Sequence, residues 1–207
     1  MSRWKTALVL ALACTWCVSN APAQALNEEW IKNISAAMDS VHPQVQPAKP
    51  HKVLVFNLCN GFPHSSVPYG DIALEIMGQK TGAFDAVSSA DIAVFEPASL
   101  AQFDAVVMNN TTGELFLPKN LAELPQDQQQ AAQARDAALK QSLLDFVKSG
   151  KGIMGIHAAT DCFYQWPDYG EMMGGYFDGH PWSEDVGIKL DDPAHPLLKA
   201  FKGRNFT

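Results

Sequence analysis

The sequence predicts an α/β fold, a mostly parallel sheet with helices on both faces, on three observations. Three short runs, Lys52-Val-Leu-Val-Phe-Asn57, Phe103-Asp-Ala-Val-Val-Met-Asn109 and Gly152-Ile-Met-Gly-Ile156, are almost wholly apolar. Such runs are expected of strands buried on both faces. Helical patterns separate them, as parallel strands require. Each run is followed by small and polar residues, and such sheets bind ligands at the carboxyl ends of their strands.

Residues 1–25 read as a signal peptide, with the mature chain exported to the periplasm or the extracellular space. Arg3 and Lys5 precede an apolar run from Ala7 to Val18, too short to span a bilayer as a helix, and Ala23-Gln24-Ala25 fits a small-x-small cleavage site. Cys14 after Leu12-Ala13 hints at a lipoprotein-type site, against the plainer reading of Cys14 and Cys17 as apolar residues of the signal. Residues 26–50 hold a leading helix and a Pro-rich linker. Asn27 caps a helix over 27–41, with Glu28 and Glu29 in its first turn, where the helix dipole favours acids. Pro43, Pro47 and Pro50 prevent any continuation.

The domain proper spans residues 51–207. After the first strand, apolar spacing predicts a helix over 69–79, then short extended segments at Phe84–Ser88 and Ile92–Phe95. A long helix over 127–149 follows the second strong strand, its Gln- and Ala-rich start exposed, with Gly150 as a stop. The third strand leads to a helix over 167–174. Asp185 to Leu190 alternates like an outer strand, and a turn at His195 precedes a short terminal helix. No closing element is predicted after Phe201, so the chain reads either as a fragment or as a domain whose last elements are missing, and residues beyond Thr207 could complete the sheet or the site.

The chain carries a net charge of −7, more acidic still once Arg3 and Lys5 are removed. That balance argues against nucleic acid and anionic membrane as partners. No segment after the signal is apolar enough to span a membrane. A homo-oligomer is compatible with the composition. Cys59 and Cys162 remain after processing; export would permit a bridge, but one pair is no disulfide framework.

Three loops carry the unusual residues. The first, Cys59-Asn-Gly-Phe-Pro-His-Ser-Ser-Val-Pro68, offers His64, Ser65 and Ser66, or simply a turn whose serine caps the next helix. The second offers Asn109, Asn110, Thr111 and Thr112, able to hydrogen-bond a polyol or to serve as turn residues. The third, Gly155-Ile-His-Ala-Ala-Thr-Asp161, resembles a nucleophile elbow, in which small residues flank one side chain on a sharp strand-to-helix turn. Its tip is His157, which disfavours nucleophilic acyl transfer and suits acid–base work or metal ligation. Asp161 is placed to orient it and Thr160 to bind beside it. Tyr164 and Trp166 offer a wall for stacking on sugar faces, although such rings also fill cores. His180 sits on a glycine-rich turn.

Five segments together resemble the ThuA-like (trehalose utilisation) family, over about residues 52–200. They are Val53-Leu-Val-Phe with Gly61-Phe-Pro-His-Ser-Ser; Phe103 to Gly113; the helix end from Phe146 to Gly152; Gly155-Ile-His-Ala-Ala-Thr-Asp; and Trp166-Pro-Asp-Tyr-Gly with Gly174-Gly-Tyr-Phe and His180-Pro181. The resemblance implies a flavodoxin-like three-layer sandwich related to class I glutamine amidotransferases. The amidotransferase nucleophile is a Cys at the elbow, where this chain has His157, so glutaminase activity is not implied. It also implies a link to disaccharide and keto-sugar metabolism. Two departures touch the pocket rim: Pro63 stands where the family carries a basic residue, and the segment 114–136 is longer than expected.

Three functions follow as expectations. The first is an enzyme, a lyase, isomerase or hydrolase, acting on a (keto-)disaccharide or glycoside without an organic cofactor. His157 is its acid or base, Asp161 and His64 assist, and Ser65, Asn109, Asn110, Thr111, Thr112, Thr160, Tyr164, Trp166 and His180 hold the sugar. The second is a divalent-metal variant with His64, His157 and His180 as ligands. The third is a non-catalytic sugar-binding or assembly domain.

Overall fold

The computed structural model describes residues 26–207 except Gln44, Gln46 and Pro50. The expected signal peptide, its cleavage site, Cys14 and Cys17 lie outside the described residues. Strands β1 (His51–Phe56), β2 (Phe84–Ser89), β3 (Ala105–Asn109) and β4 (Gly152–Ile156) form one all-parallel sheet in the order β2-β1-β3-β4. Five α-helices surround it among the described residues: α1 (Glu28–Met38), α2 (Val67–Thr81), α3 (Pro97–Leu100), α4 (Gln126–Lys148) and α5 (Pro167–Met173). The chain is an α/β protein of flavodoxin-like sandwich type, as the alternating pattern predicts.

Alternation along the strands sorts their side chains onto two faces. Leu54, Phe56, Val106 and Met108 point into the main core with Leu139, Leu143 and Phe146 of α4. Val55 and Val107 face the other way and are also buried. That side belongs to α2, whose Asp71 bonds Asn57 and Asn109 from the ends of β1 and β3. Helix α1 lies on α2: Trp30 packs on Tyr69 with ring centres 5.0 Å apart, and the Tyr69 hydroxyl accepts the Asn27 N–H. The first 13 residues of α4 contribute none of its buried positions, which begin at Leu139. Burying a large apolar side chain is worth roughly 1.5–3 kcal/mol, so the second half of α4 docks the helix.

A run of aromatic rings continues the core toward the carboxyl ends of the strands. Phe56 meets Phe95 at 4.7 Å, Phe95 meets Phe116 at 4.9 Å, and Phe116 meets Phe163 at 4.9 Å. Phe163 then contacts both Trp166 and Tyr169. Their tilted and edge-on geometries are those that aromatic quadrupoles favour.

Two expected strands are corrected. Ile92–Phe95 is a 3-10 helix: the Asp91 carboxylate caps the Ala93 N–H at 2.9 Å, and the turn drives Phe95 into the core. Asp185–Leu190 forms no strand, only one antiparallel bridge from Ile188 to Phe206. Its alternation has no sheet to face, since Val186 and Ile188 are exposed and only Leu190 is buried. Pro196–Phe201 forms the short terminal 3-10 helix. Cys59 and Cys162 are both free thiols.

Candidate active site

The three loops at the carboxyl ends of β1, β3 and β4 are hydrogen-bonded to one another. Parallel pairing continues past the strands, with bridges Cys59–Thr112 and Gly113–Cys162. The Asn60 and Gly61 N–H groups both donate to Thr112 O, and Gly113 N–H donates to Asp161 O at 2.8 Å. Gly113 has φ +83° and sits so close that a Cβ would lie 2.7 Å from the Gly61 nitrogen. Only glycine meets both conditions. The loops are thus fixed in place by backbone bonds.

His157 follows β4 directly and opens a 3-10 turn, His157–Thr160, with φ +49°. A non-glycine residue in the left-handed region costs about 1–2 kcal/mol. The cost is sustained because the next turn is anchored: Ala158 and Ala159 are buried, and Tyr169, itself fully buried, donates its hydroxyl to Ala159 O at 2.7 Å. Burial raises the Tyr169 pKa, keeping the phenol a donor. The conformation turns the His157 side chain out of the sheet at the elbow position, where it remains exposed.

A cavity of about 380 Å³ lies over this turn. His157, Ala158, Thr160 and Asp161 come from the turn itself, Phe62 and His64 from the β1 loop, and Phe177 and His180 from the segment after α5. The His64 ring stands edge-on to His157, centres 4.8 Å apart, and packs on Phe62 at 5.0 Å. Opposite, Phe177 packs on His180 at 4.8 Å. The segment carrying these two is held down by Phe177 N–H donating to Thr160 O and by the Tyr164 hydroxyl, which lies 2.6 Å from Asp161 Oδ1 and 3.0 Å from Phe177 O. Loss of solvent and the Asp161 bond push the Tyr164 pKa up to about 12. Asp161 is thus engaged by Tyr164 rather than by His157.

The sequence-predicted residues divide into two groups. His64, His157, Thr160, Asp161 and His180 share the cavity. Asn109, Asn110, Thr111 and Thr112 are buried beneath it as scaffold. Asn109 donates to Val67 O and Asp71, Asn110 donates to Asn109, and Thr112 donates to Phe62 O. Thr111 lies 3.6 Å from the Cys162 thiol, whose pKa burial pushes up to about 11. Trp166 is buried between Phe163 and Tyr169, so it forms no open stacking wall. Ser65 is an exposed turn residue, and neither it nor Ser66 caps α2 through its side chain. Tyr164 stacks on Tyr176 beside the cavity.

The wall also holds two aromatic residues that no sequence pattern marks, Phe62 and Phe177. Their only signal is an aromatic side chain next to glycine or aspartate in a turn, where no core position is expected. Among the described residues no lysine or arginine lines the cavity, and no three His, Cys, Asp or Glu side chains come together as a metal-ligand set.

A family model described as ThuA, trehalose utilisation, matches residues 52–207. No curated protein and no solved structure matches the chain.

Proposed function

We propose that this chain, which belongs to the ThuA (trehalose utilisation) family and is related to carbohydrate utilisation, acts on an uncharged keto-disaccharide or glycoside, with His157 as acid–base catalyst. The observation that carries the proposal is His157 at φ +49° in a cavity that also holds two further imidazoles and one carboxylate. A side chain kept in a costly backbone conformation at a cavity mouth is a mark of function.

The cavity suits a sugar on two counts. Phe62 and Phe177 supply apolar aromatic surface for the C–H faces of pyranoses, and Thr160, Asp161 and the imidazoles offer donors and acceptors for hydroxyls. With no lysine or arginine in the wall among the described residues, a phosphate or uronate group would lack a permanently charged partner, which is costly in a partly enclosed site.

For a keto-sugar, the carbonyl acidifies the neighbouring C–H. His157 takes that proton, the electron pair moves toward the carbonyl oxygen, and the enolate either expels a group from the next carbon or is reprotonated elsewhere. Expulsion gives an elimination and reprotonation an isomerisation.

The test is deuterium wash-in from heavy water at the carbon beside the carbonyl of a keto-derivative of trehalose, followed by proton NMR. The wild type is expected to exchange this position, and His157→Ala to lose at least about a hundredfold in rate, the usual scale of a general base, while still binding the sugar. Binding without exchange by the wild type would refute catalysis and leave a sugar-binding domain. Failure to bind any neutral disaccharide would refute the sugar reading.

A further inference from the structure

We infer that His64 carries its proton on Nε2 and serves the cavity as a hydrogen-bond donor, so that of this facing pair of imidazoles it is His157 that can accept a proton from the ligand. This deepens the acid–base reading of the same site and rests on it.

The two imidazoles are neighbours but not equivalents. His157 is exposed at the end of β4. His64 is half-buried, wedged between the rings of Phe62 and His157. Its Nδ1 is shut off from solvent and has no hydrogen-bond partner among the described residues. Nε2 is the nitrogen left to serve the cavity.

A neutral imidazole has one N–H and one lone pair, and the two nitrogens divide them. To act as a base through Nε2, His64 would need its proton on Nδ1, in a place without an acceptor. A buried N–H without a partner is among the rarest defects in folded proteins, and an unpaired acceptor is tolerated more often. The geometry therefore favours the tautomer with Nε2–H facing the ligand. In the proposed reaction that N–H donates to the carbonyl oxygen as negative charge develops on it, while His157 removes the carbon-bound proton. The proton held by His64 stays on Nε2, and no covalent bond to it breaks.

The first test needs no ligand. In a long-range proton–nitrogen NMR correlation of the nitrogen-15-labelled chain, His64 is assigned by its loss in His64→Gln. The spectrum is recorded at about pH 9, well above the ordinary imidazole pKa of about 6.5. The expected result is the Nε2–H pattern for His64. An Nδ1–H pattern, or an averaged mixture, would overturn the assignment.

The second test compares His64→Gln with His64→Asn, after thermal melts confirm that both fold. A glutamine amide N–H reaches about where Nε2–H lies, and an asparagine amide stops near Nδ1. Trehalose affinity by calorimetry, and deuterium wash-in on its keto-derivative, are both expected to fall less in the Gln variant than in the Asn variant, by about tenfold for the loss of one hydrogen bond to a ligand. Equal losses, or a better Asn variant, would overturn the donor role. A wild type that shows the Nε2–H pattern but no wash-in would refute the acid–base reading while leaving the donor assignment intact.

Discussion

Gly155 offers the most direct physical test of how the elbow is built. It lies in β4 two residues before His157, and a Cβ there would sit 2.9 Å from the Ala159 Cβ and 3.0 Å from the Met173 Cε. The methionine end can swing away, because its side chain is unbranched and flexible. Ala159 cannot: it is 1% exposed, and its carbonyl accepts the Tyr169 hydroxyl. Gly155→Ala must therefore displace the turn that holds His157. Overpacking of this kind costs about 1–3 kcal/mol. At about 2–4 °C per kcal/mol for a domain of this size, the melting temperature should fall by roughly 2–12 °C. The same shift moves His157 relative to His64, so under the proposed sugar function trehalose binding should weaken as well. The assay is a thermal melt with calorimetric binding on four proteins: wild type, Gly155→Ala, Ala159→Gly and the double variant. Removing the Ala159 methyl makes room for the new one, so the two substitutions should compensate, with a coupling of at least about 1 kcal/mol in the cycle. A single variant that melts with the wild type, or two losses that simply add, would refute the steric account.

Three further outcomes follow from other parts of the site and its support. Tyr164→Phe removes the hydroxyl beside both Asp161 and Phe177 O; hydrogen exchange over residues 174–180 should speed up with little change in melting temperature, and unchanged exchange there would show that the hydroxyl does not hold the segment. Iodoacetamide followed by peptide mapping should label Cys59 and spare Cys162, which is buried with its thiol pKa at about 11, until denaturant is added; equal labelling of the native protein would contradict the packing. The Asp104 carboxyl is held at about 2 against an ordinary 3.8, first by the Lys52 N–H and then by the Lys151 ammonium. Since folding lowers this pKa, the carboxylate stabilises the fold above pH 3.8, and the contribution is lost as pH falls toward about 2. Asp104→Asn should therefore be less stable than the wild type to chemical denaturation at neutral pH, with the gap closing across that acid range. A gap that stays constant would refute the assignment.

The parts of the molecule legible in the sequence are those governed by local pattern. Val53 to Phe56 and Val106 to Met108 are apolar in succession because both faces of their strands are covered, and that signal needs no knowledge of the partner strand. The turn at His157 is legible too, because an apolar run ending in small residues around one larger side chain marks a tight strand-to-helix turn; the burial expected of that run is not found, since β4 is the last strand of the described sheet and Met154 is exposed. What was not legible depends on distant parts of the chain. Asn109 to Thr112 are polar residues at a strand end, which in sequence look equally fit to bind a ligand or a loop. They bind loops because Asp71, Phe62 and Cys162 happen to reach them. Trp166 in sequence suits an open wall or a core, and it joins the core because Phe116 and Phe163 extend it beneath the ring. Phe62 and Phe177 had no periodicity to mark them, since each sits on a turn and gains its role only when two loops meet over the cavity. Ile92 to Phe95 has the composition of a strand, and a single capping carboxylate from Asp91 decided for a turn of helix.

The rungs between the β1, β3 and β4 loops bear on how such a site can change over time. Thr112 O accepts two N–H groups from Asn60 and Gly61, and Gly113 joins Asp161 on its other side. An insertion within 110–113 would break contacts to both neighbours together, so this stretch tolerates little variation in length. Phe62 and the 177–180 segment lie at the edges of that array and are held by few backbone bonds. New ligand preferences in relatives, or in a laboratory-evolved variant, should arise by altering those two edges while the tethered centre keeps its length.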